Sequence, residues 1–228
     1  MAAAAVALAL LGTGCGKEEA DLVTGKTLFV QKCGSCHVLE RAGAKGRQGP
    51  NLDEAFGPSR RDGLGESTVE GVVLRQIAFV RRNSTMPANL VRGPEAKAVA
   101  AYVAMVAGQP GKDEGALANA GKPKVSKKPI VAKGGTLEIP ADPTGALAFV
   151  SSKAMAKPGS VEFVSENKAS IPHNIALKDP SGKLLGEGPD VTGGVSKFSA
   201  KVSAGKYTFV CTVTGHEEGG MKGELTVK

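Results

Sequence analysis

Between residues 21 and 108 the apolar positions recur at helical spacing. Leu22, Leu28 and Phe29 mark a first helix from Leu22 to Cys33, interrupted by Gly25. Val69, Val72, Val73, Ile77 and Val80 form the stripe of a second, Ser67 to Arg82, with Ser67 or Thr68 as its N-cap. A third runs from Pro94 to Ala107, with proline in the favourable first turn and Gly108 closing the helix. The pattern then lapses. Gln109 to Pro129 is built of Gly, Pro, Lys and Ala, with Leu117 and Val125 as its large apolar residues. It reads as a flexible linker, a coil of about 20 residues reaching roughly 25 Å. From Ile130 onward the period changes to two. Strands are predicted at Thr136–Ile139, Ala146–Val150, Val161–Val164, Ile175–Lys178, Val195–Val202, Tyr207–Val210 and Glu224–Val227. Gly, Pro, Asp or Ser clusters separate most of them, the pattern of a β-sandwich or small barrel. The chain therefore reads as an α domain (21–108), a linker (109–129) and a β domain (130–228).

The first 14 residues, MAAAAVALALLGTG, are apolar, small and uncharged. They read as an export signal. Cys15 follows, and the chain then turns charged. A cysteine at that junction resembles a bacterial lipoprotein processing site, so Cys15 is the expected lipid anchor, with residues 15–20 as the anchor region. An ordinary cleaved signal with a leftover cysteine is the alternative. Either way the expected location is outside the cytoplasm, in the periplasm or on the outer face of a bacterial membrane.

Composition narrows the class. At 228 residues and 41% hydrophobic, the chain is long and apolar enough for one large or two small folded domains. No apolar run reaches the roughly 20 residues of a membrane-spanning helix, so a polytopic membrane protein is not expected. The net charge of +7 arises in the α domain and the linker, while the β domain is nearly balanced. Lys122, Lys124, Lys127 and Lys128 can steer toward acidic partners or anionic lipid, or can simply solvate the linker. Nucleic acid is not an expected partner.

The scarce residues carry the chemistry: four Cys, three His and five Met. Cys33-Gly34-Ser35-Cys36-His37 is C-x-x-C-H, the pattern of covalent haem attachment. Two thiols a helical turn apart can add to the two vinyl groups on one edge of a haem, and the next residue then lies under the iron. A redox disulfide or half of a zinc site are the rivals. Zinc requires two further ligands nearby, and a thioredoxin-like motif requires a βαβ context that is missing. The surrounding residues resemble small class I cytochromes c. Gly25-Lys26-Thr27-Leu28-Phe29 matches that family's first helix, Gly49-Pro50-Asn51-Leu52 its loop, and Tyr102 its last helix. The resemblance implies haem c on Cys33 and Cys36, His37 as axial ligand with its ring N–H donated to the Pro50 carbonyl, and Met86 as the opposite ligand. Met105, on a helix face, is the competitor and is read as core.

In the β domain, Cys211, His216 and Met221 follow the spacing C-x4-H-x4-M between two strands. His173 supplies a fourth group. Two His, one Cys and a weak Met are a blue-copper set, although zinc can occupy such donors. Pro172-His173-Asn174 and the run Tyr207-x-Phe209-x-Cys211 resemble the ligand segments of cupredoxins of the plastocyanin and azurin kind. That resemblance implies a Greek-key β-sandwich and one type 1 copper on His173, Cys211, His216 and Met221. Asn174 and Thr212 are expected to tie the two ligand loops together. Met155 is placed between strands and away from the site.

Two one-electron centres on an exported chain imply an electron carrier, not an enzyme. Neither metal has an obvious open position for substrate, and no histidine remains for a second, catalytic copper. The expected partners are redox proteins, a quinol-oxidising complex and a terminal oxidase or reductase, together with a membrane reached by lipid. No small-molecule substrate is expected. An accessory donor subunit of one membrane complex, and a copper storage or delivery protein, are the alternatives.

Overall fold

A computed structural model describes residues 21–228; the export and anchor expectations for Met1–Gly14 and Cys15 lie outside the described residues. The α domain contains α1 (Leu22–Lys32), a two-residue β1 (Val38–Leu39) paired with β2 (Ala44–Lys45), α2 (Leu52–Arg61), α3 (Glu66–Ala78) and α4 (Gly93–Val106). Asp21 caps α1 by accepting from the amides of Val23 and Thr24, both at 3.0 Å. Phe29 of α1 and Tyr102 of α4 are buried together, with ring centroids 6.5 Å apart. The crossing is close because Gly25 has no side chain: an added Cβ would overlap the Ala98 carbonyl and lie 3.0 Å from the Tyr102 Cβ. Gly25→Ala is therefore expected to cost about 1–3 kcal/mol by overpacking. Denaturation followed through the haem absorbance checks this, and an unchanged midpoint would contradict it.

Two expectations for this domain need correction. The sequence stripe did not reveal α2, which has only Leu52 and Phe56 on its apolar side and Pro58 inside it. Its start is set instead by Asn51, which accepts from Asp53 N at 3.0 Å and Glu54 N at 3.4 Å. Helix α3 starts after Gly65 rather than with a Ser67 or Thr68 cap, and it ends at Ala78 rather than Arg82. Its C-cap, Phe79, is 72% exposed. The chain must leave the helix there to fold back over the domain, and the Asn89 amide returns to the Ile77 carbonyl at 2.8 Å.

The β domain has nine strands: β3 (Ile130–Val131), β4 (Thr136–Glu138), β5 (Lys153–Ala156), β6 (Gly159–Asn167), β7 (Ala176–Lys178), β8 (Leu184–Glu187), β9 (Gly194–Val202), β10 (Gly205–Val210) and β11 (Lys222–Val227). One sheet has the order β3-β5-β11-β10-β7-β8 and the other β4-β6-β9. Pairing is mixed: β5 runs parallel to β3 and β11, and β4 parallel to β6. The core between the sheets includes Leu137, Phe149, Phe163, Leu177, Phe209 and Leu225, all fully or almost fully buried. This is the expected sandwich, with local differences. Ala146–Val150 forms no strand. Gly145 at φ +92° follows a turn in which Asp142 Oδ1 accepts from Thr144 N at 2.8 Å, and only a single bridge joins Ala141 to Phe149. The run is apolar because it packs, not because it pairs. Met155 is not between strands but on β5, opposite Thr226 and Val131.

The segment read as a flexible coil is also ordered. The Asp113 side chain is 2% exposed and pairs with Lys26 Nζ at 2.9 Å and with Arg41 at 2.8 Å. Lys26 also donates to the Leu117 carbonyl at 2.8 Å. At the far end Ser126 N donates to the Val150 carbonyl at 2.9 Å. The linker is a strap fixed by polar anchors, which a search for large apolar residues does not detect.

Two candidate metal centres

In the α domain the C-x-x-C-H motif forms the turn that follows α1. The amides of Cys36 and His37 both reach the Cys33 carbonyl, at 3.1 and 3.0 Å. This turn and the loop of Gln48, Gly49 and Pro50 face the segment after α3 across a cavity of about 570 Å³. Cys33, Cys36, His37, Pro50 and Met86 all line it. His37 Nδ1 lies 2.9 Å from the Pro50 carbonyl oxygen. A carbonyl only accepts, so the proton is on Nδ1 and the Nε2 lone pair is left for a metal. Met86 is held by two contacts: its amide donates to Ser84 Oγ at 3.1 Å, and Gln76 Nε2 donates to its sulfur at 3.7 Å. Met105 is partly buried against the helical core, outside the cavity lining.

Gly49 completes the cradle. A Cβ there would lie 2.6 Å from His37 Cε1 and 2.8 Å from Nδ1. Gly49→Ala is expected to turn the His37 ring and lengthen its bond to Pro50. The readout is the low-spin haem EPR spectrum, and unchanged g-values would contradict the expectation.

In the β domain the ligand atoms converge at one end of the sandwich. His173 Nδ1 and His216 Nδ1 are 3.2 Å apart. Cys211 Sγ is 3.5 Å from the His216 nitrogen and 4.0 Å from the His173 nitrogen. The two nitrogens have the spacing of donors each about 2 Å from one ion. His173 and His216 are 1% and 2% exposed, and Met221 is fully buried in the same core as Cys211. Backbone bonds fix the loop: Cys211 N donates to the Met221 carbonyl at 3.0 Å, and Met221 N to the His216 carbonyl at 2.9 Å. Among the described residues this is the one trio of His, Cys, Asp or Glu whose ligand atoms lie within 4.8 Å of one another. Among the described residues no set of three or more such ligand atoms is gathered around Cys33 and Cys36.

Burial pushes His173 down to about 3, with His216 adding to the effect, and pushes His216 down to about 4. Both rings are therefore neutral near pH 7 and present lone pairs. Burial also pushes the Cys211 thiol up to about 11, so its proton must leave as a cation binds. The Asn174 amide donates to Cys211 Sγ at 3.4 Å. The Asn174 side chain donates to Thr212 Oγ1 at 2.7 Å and accepts from Thr212 N at 2.8 Å, which joins the His173 loop to the Cys211 loop. Sequence reasoning missed the outer supports. Asp190 accepts from Asn174 Nδ2 at 2.8 Å, and Glu187 accepts from Thr212 Oγ1 at 3.0 Å. Glu187, at the end of β8, and Asp190, in the loop after it, are common acidic residues and gave no signal.

Comparison with known families agrees with this division. Residues 22–107 match Cytochrome c, and residues 136–228 match copper binding proteins of the plastocyanin/azurin family. The chain is thus a cytochrome c domain followed by a cupredoxin domain. Among solved structures similar to it is Na-dithionite-reduced auracyanin of the photosynthetic bacterium Roseiflexus castenholzii, 20% identical, covering 42% of this chain and 99% of that one at TM-score 0.37. Auracyanin A, a blue copper protein of the green thermophilic photosynthetic bacterium Chloroflexus aurantiacus, is 24% identical, covering 41% and 98% at TM-score 0.36. Reduced rusticyanin is 19% identical, covering 46% and 88% at TM-score 0.35.

The two families imply one covalent haem c and one type 1 copper. The residues fit both: paired thiols, an imidazole of fixed tautomer and a thioether around one cavity, and a converged His-Cys-His trio beside a buried Met. The chain is a haem and copper electron-transfer protein.

Proposed function

We propose that this protein carries single electrons along a respiratory or related chain on the outer face of a bacterial membrane. It would take them from a quinol-oxidising complex and pass them to a terminal oxidase or reductase, tethered by lipid at Cys15. The observation that carries the reading is the presence of two one-electron ligand sets in one chain, each with its own methionine. With Met86 and Met221 as ligands neither metal keeps a ready position for substrate, which favours electron exchange over catalysis.

Each centre, when loaded, gains and loses one electron; the protein's part is to hold the donors still. His37 is oriented by Pro50, and Met86 is held by Gln76 and Ser84. The His173 and Cys211 loops are locked by Asn174 and Thr212. A rigid donor set keeps structural change small when the charge of the metal changes. Secretion and the anchor are read from the apolar Met1–Gly14 run and the cysteine after it.

The test is metal content together with EPR on oxidised protein matured in a host that attaches haem c. One iron and one copper per chain are expected, with the narrow copper hyperfine splitting of a type 1 site. Haem without copper, in protein exposed to copper, would overturn the two-centre reading. Lipid attachment is checked by the mass of the mature N-terminal peptide.

A further inference from the structure

The β domain meets the cytochrome domain with the end that holds its copper ligands. Three loops of that end make the contact. A Cβ at Gly145 would lie 2.7 Å from the Gln31 carbonyl oxygen. Lys32 Nζ donates to Ser170 Oγ at 3.4 Å, three residues before His173. Gly215, next to His216, is buried, and a Cβ there would lie 3.6 Å from the backbone nitrogen of Arg47. Gly145 and Gly215 have φ of +92° and +82°, a conformation that favours glycine and lets backbones approach closely.

The segment from Gly46 to Gln48 has a second face. Gly46 N donates to the Gly34 carbonyl at 3.2 Å, and a Cβ at Gly46 would overlap the backbone of Ser35 and Cys36. Cys36 Sγ lies 3.5 Å from Gln48 Oε1, so Gln48 stays beside the sulfur when it carries haem. The same three residues therefore lie between a haem-attaching cysteine and the loop that carries a copper-ligating histidine. The strap adds to this fixed placement: its Asp113 is held by Lys26 and Arg41 of one domain and its Ser126 by Val150 of the other.

We infer that the cytochrome domain is the built-in redox partner of the cupredoxin domain, with Gly46–Gln48 as the bridge between Cys36 and the His216 loop. The inference rests on the electron-transfer reading above and goes further by naming the partner of the copper site. With both groups bound, the exchange would need no other reactant: one electron would pass between the centre held at Cys33, Cys36 and His37 and the centre held at His173, Cys211 and His216, one being oxidised as the other is reduced. No bond is made or broken and no proton is required. Two separate carriers meet at a rate set by their concentrations. Two docked centres do not.

The experiment is one-electron pulse reduction of the oxidised holoprotein, with the haem and blue absorbances followed in time. A first-order redistribution independent of protein concentration is expected. Ser170→Trp, at an exposed contact position, and Gly145→Val should each slow it about tenfold or more, as misplacing a reacting pair by an ångström does. The copper EPR and haem spectra of both variants should match those of the unsubstituted protein. Pulsed EPR between low-spin haem and Cu(II) should give one narrow distance. A rate that rises with protein concentration, a rate unmoved by both substitutions, or a broad distance distribution would overturn the inference and leave the carrier reading standing. Absence of the blue signal from the unsubstituted protein would overturn both.

Discussion

Asp113→Ala is expected to destabilise the cytochrome domain by about 3–5 kcal/mol, the cost of leaving buried charges without their partner. The carboxylate is 2% exposed and receives Lys26 at 2.9 Å, Arg41 at 2.8 Å and the Tyr102 hydroxyl at 2.7 Å. Lys26 is itself 6% exposed, so no water replaces the lost partner. Asp113→Asn keeps an acceptor for Tyr102 but loses the charge, and should fall between the two. Denaturation followed by the haem absorbance, which reports this domain alone, measures the effect. A loss below about 1 kcal/mol, the range of an exposed ion pair, would show that the cluster is solvated instead.

The same group sets a pH dependence. Burial alone would push the Asp113 carboxyl up, but the hydrogen bonds from Tyr102, Lys26 and Arg41 outweigh it and hold the group below its ordinary value. A depressed folded-state pKa contributes stability that is fully present above the unfolded value, about 3.9, and is lost as pH falls through the folded value. The unsubstituted domain should therefore weaken below about pH 4, whereas Asp113→Ala, lacking the group, should lose less over that window. Tyr102 is pushed the other way, first by burial and then by Asp113, and remains a donor throughout. Freed from Asp113, the strap should also become a site of proteolysis between residues 114 and 125.

What could be read from the sequence follows from how much each feature depends on rare residues. Cys, His and Met are few, and their chemistry demands particular spacing, so the candidate ligand positions stand out in order. The groups that hold them do not. Gln76 is ten residues from Met86, and Asp190 sixteen from Asn174; both are ordinary polar residues whose partners only folding reveals. Helix α4 was legible because eight of its residues are buried, giving a long apolar run. Helix α2 was not, since capping and charge, rather than an apolar stripe, define it. Strand β5 buries only Ala154 and Ala156, too little contrast for a period-two signal. The contact between the domains is made by glycines, backbone atoms and the exposed polar pair Lys32 and Ser170, and such residues look like turns or solvated positions in any sequence. The strap was misread for a related reason, because one buried aspartate among Gly, Pro and Lys is indistinguishable from a solvated one.

Cys211→Ser is expected to abolish the blue copper centre while leaving both folds in place. The thiolate is the soft donor that, with two imidazoles, defines the site and stabilises Cu(I). Serine has nearly the same shape and still accepts the Asn174 amide hydrogen, now 3.4 Å from the sulfur, so Asn174 is not left unpaired. Its hydroxyl does not ionise near neutral pH and offers no soft lone pair. The variant should lose the blue absorbance and the narrow copper hyperfine splitting, and its haem spectrum should be unchanged. Stability gives an independent readout. A ligand present at 1,000 times its Kd stabilises the folded state by about 4 kcal/mol. Copper should therefore raise the unfolding midpoint of the unsubstituted β domain strongly and that of Cys211→Ser far less, with the two metal-free midpoints close together. Equal shifts on adding copper would place the metal elsewhere than among Cys211, His173 and His216. A metal-free variant that fails to fold would instead make Cys211 a packing residue of the sandwich core, where it lies fully buried beside Met221.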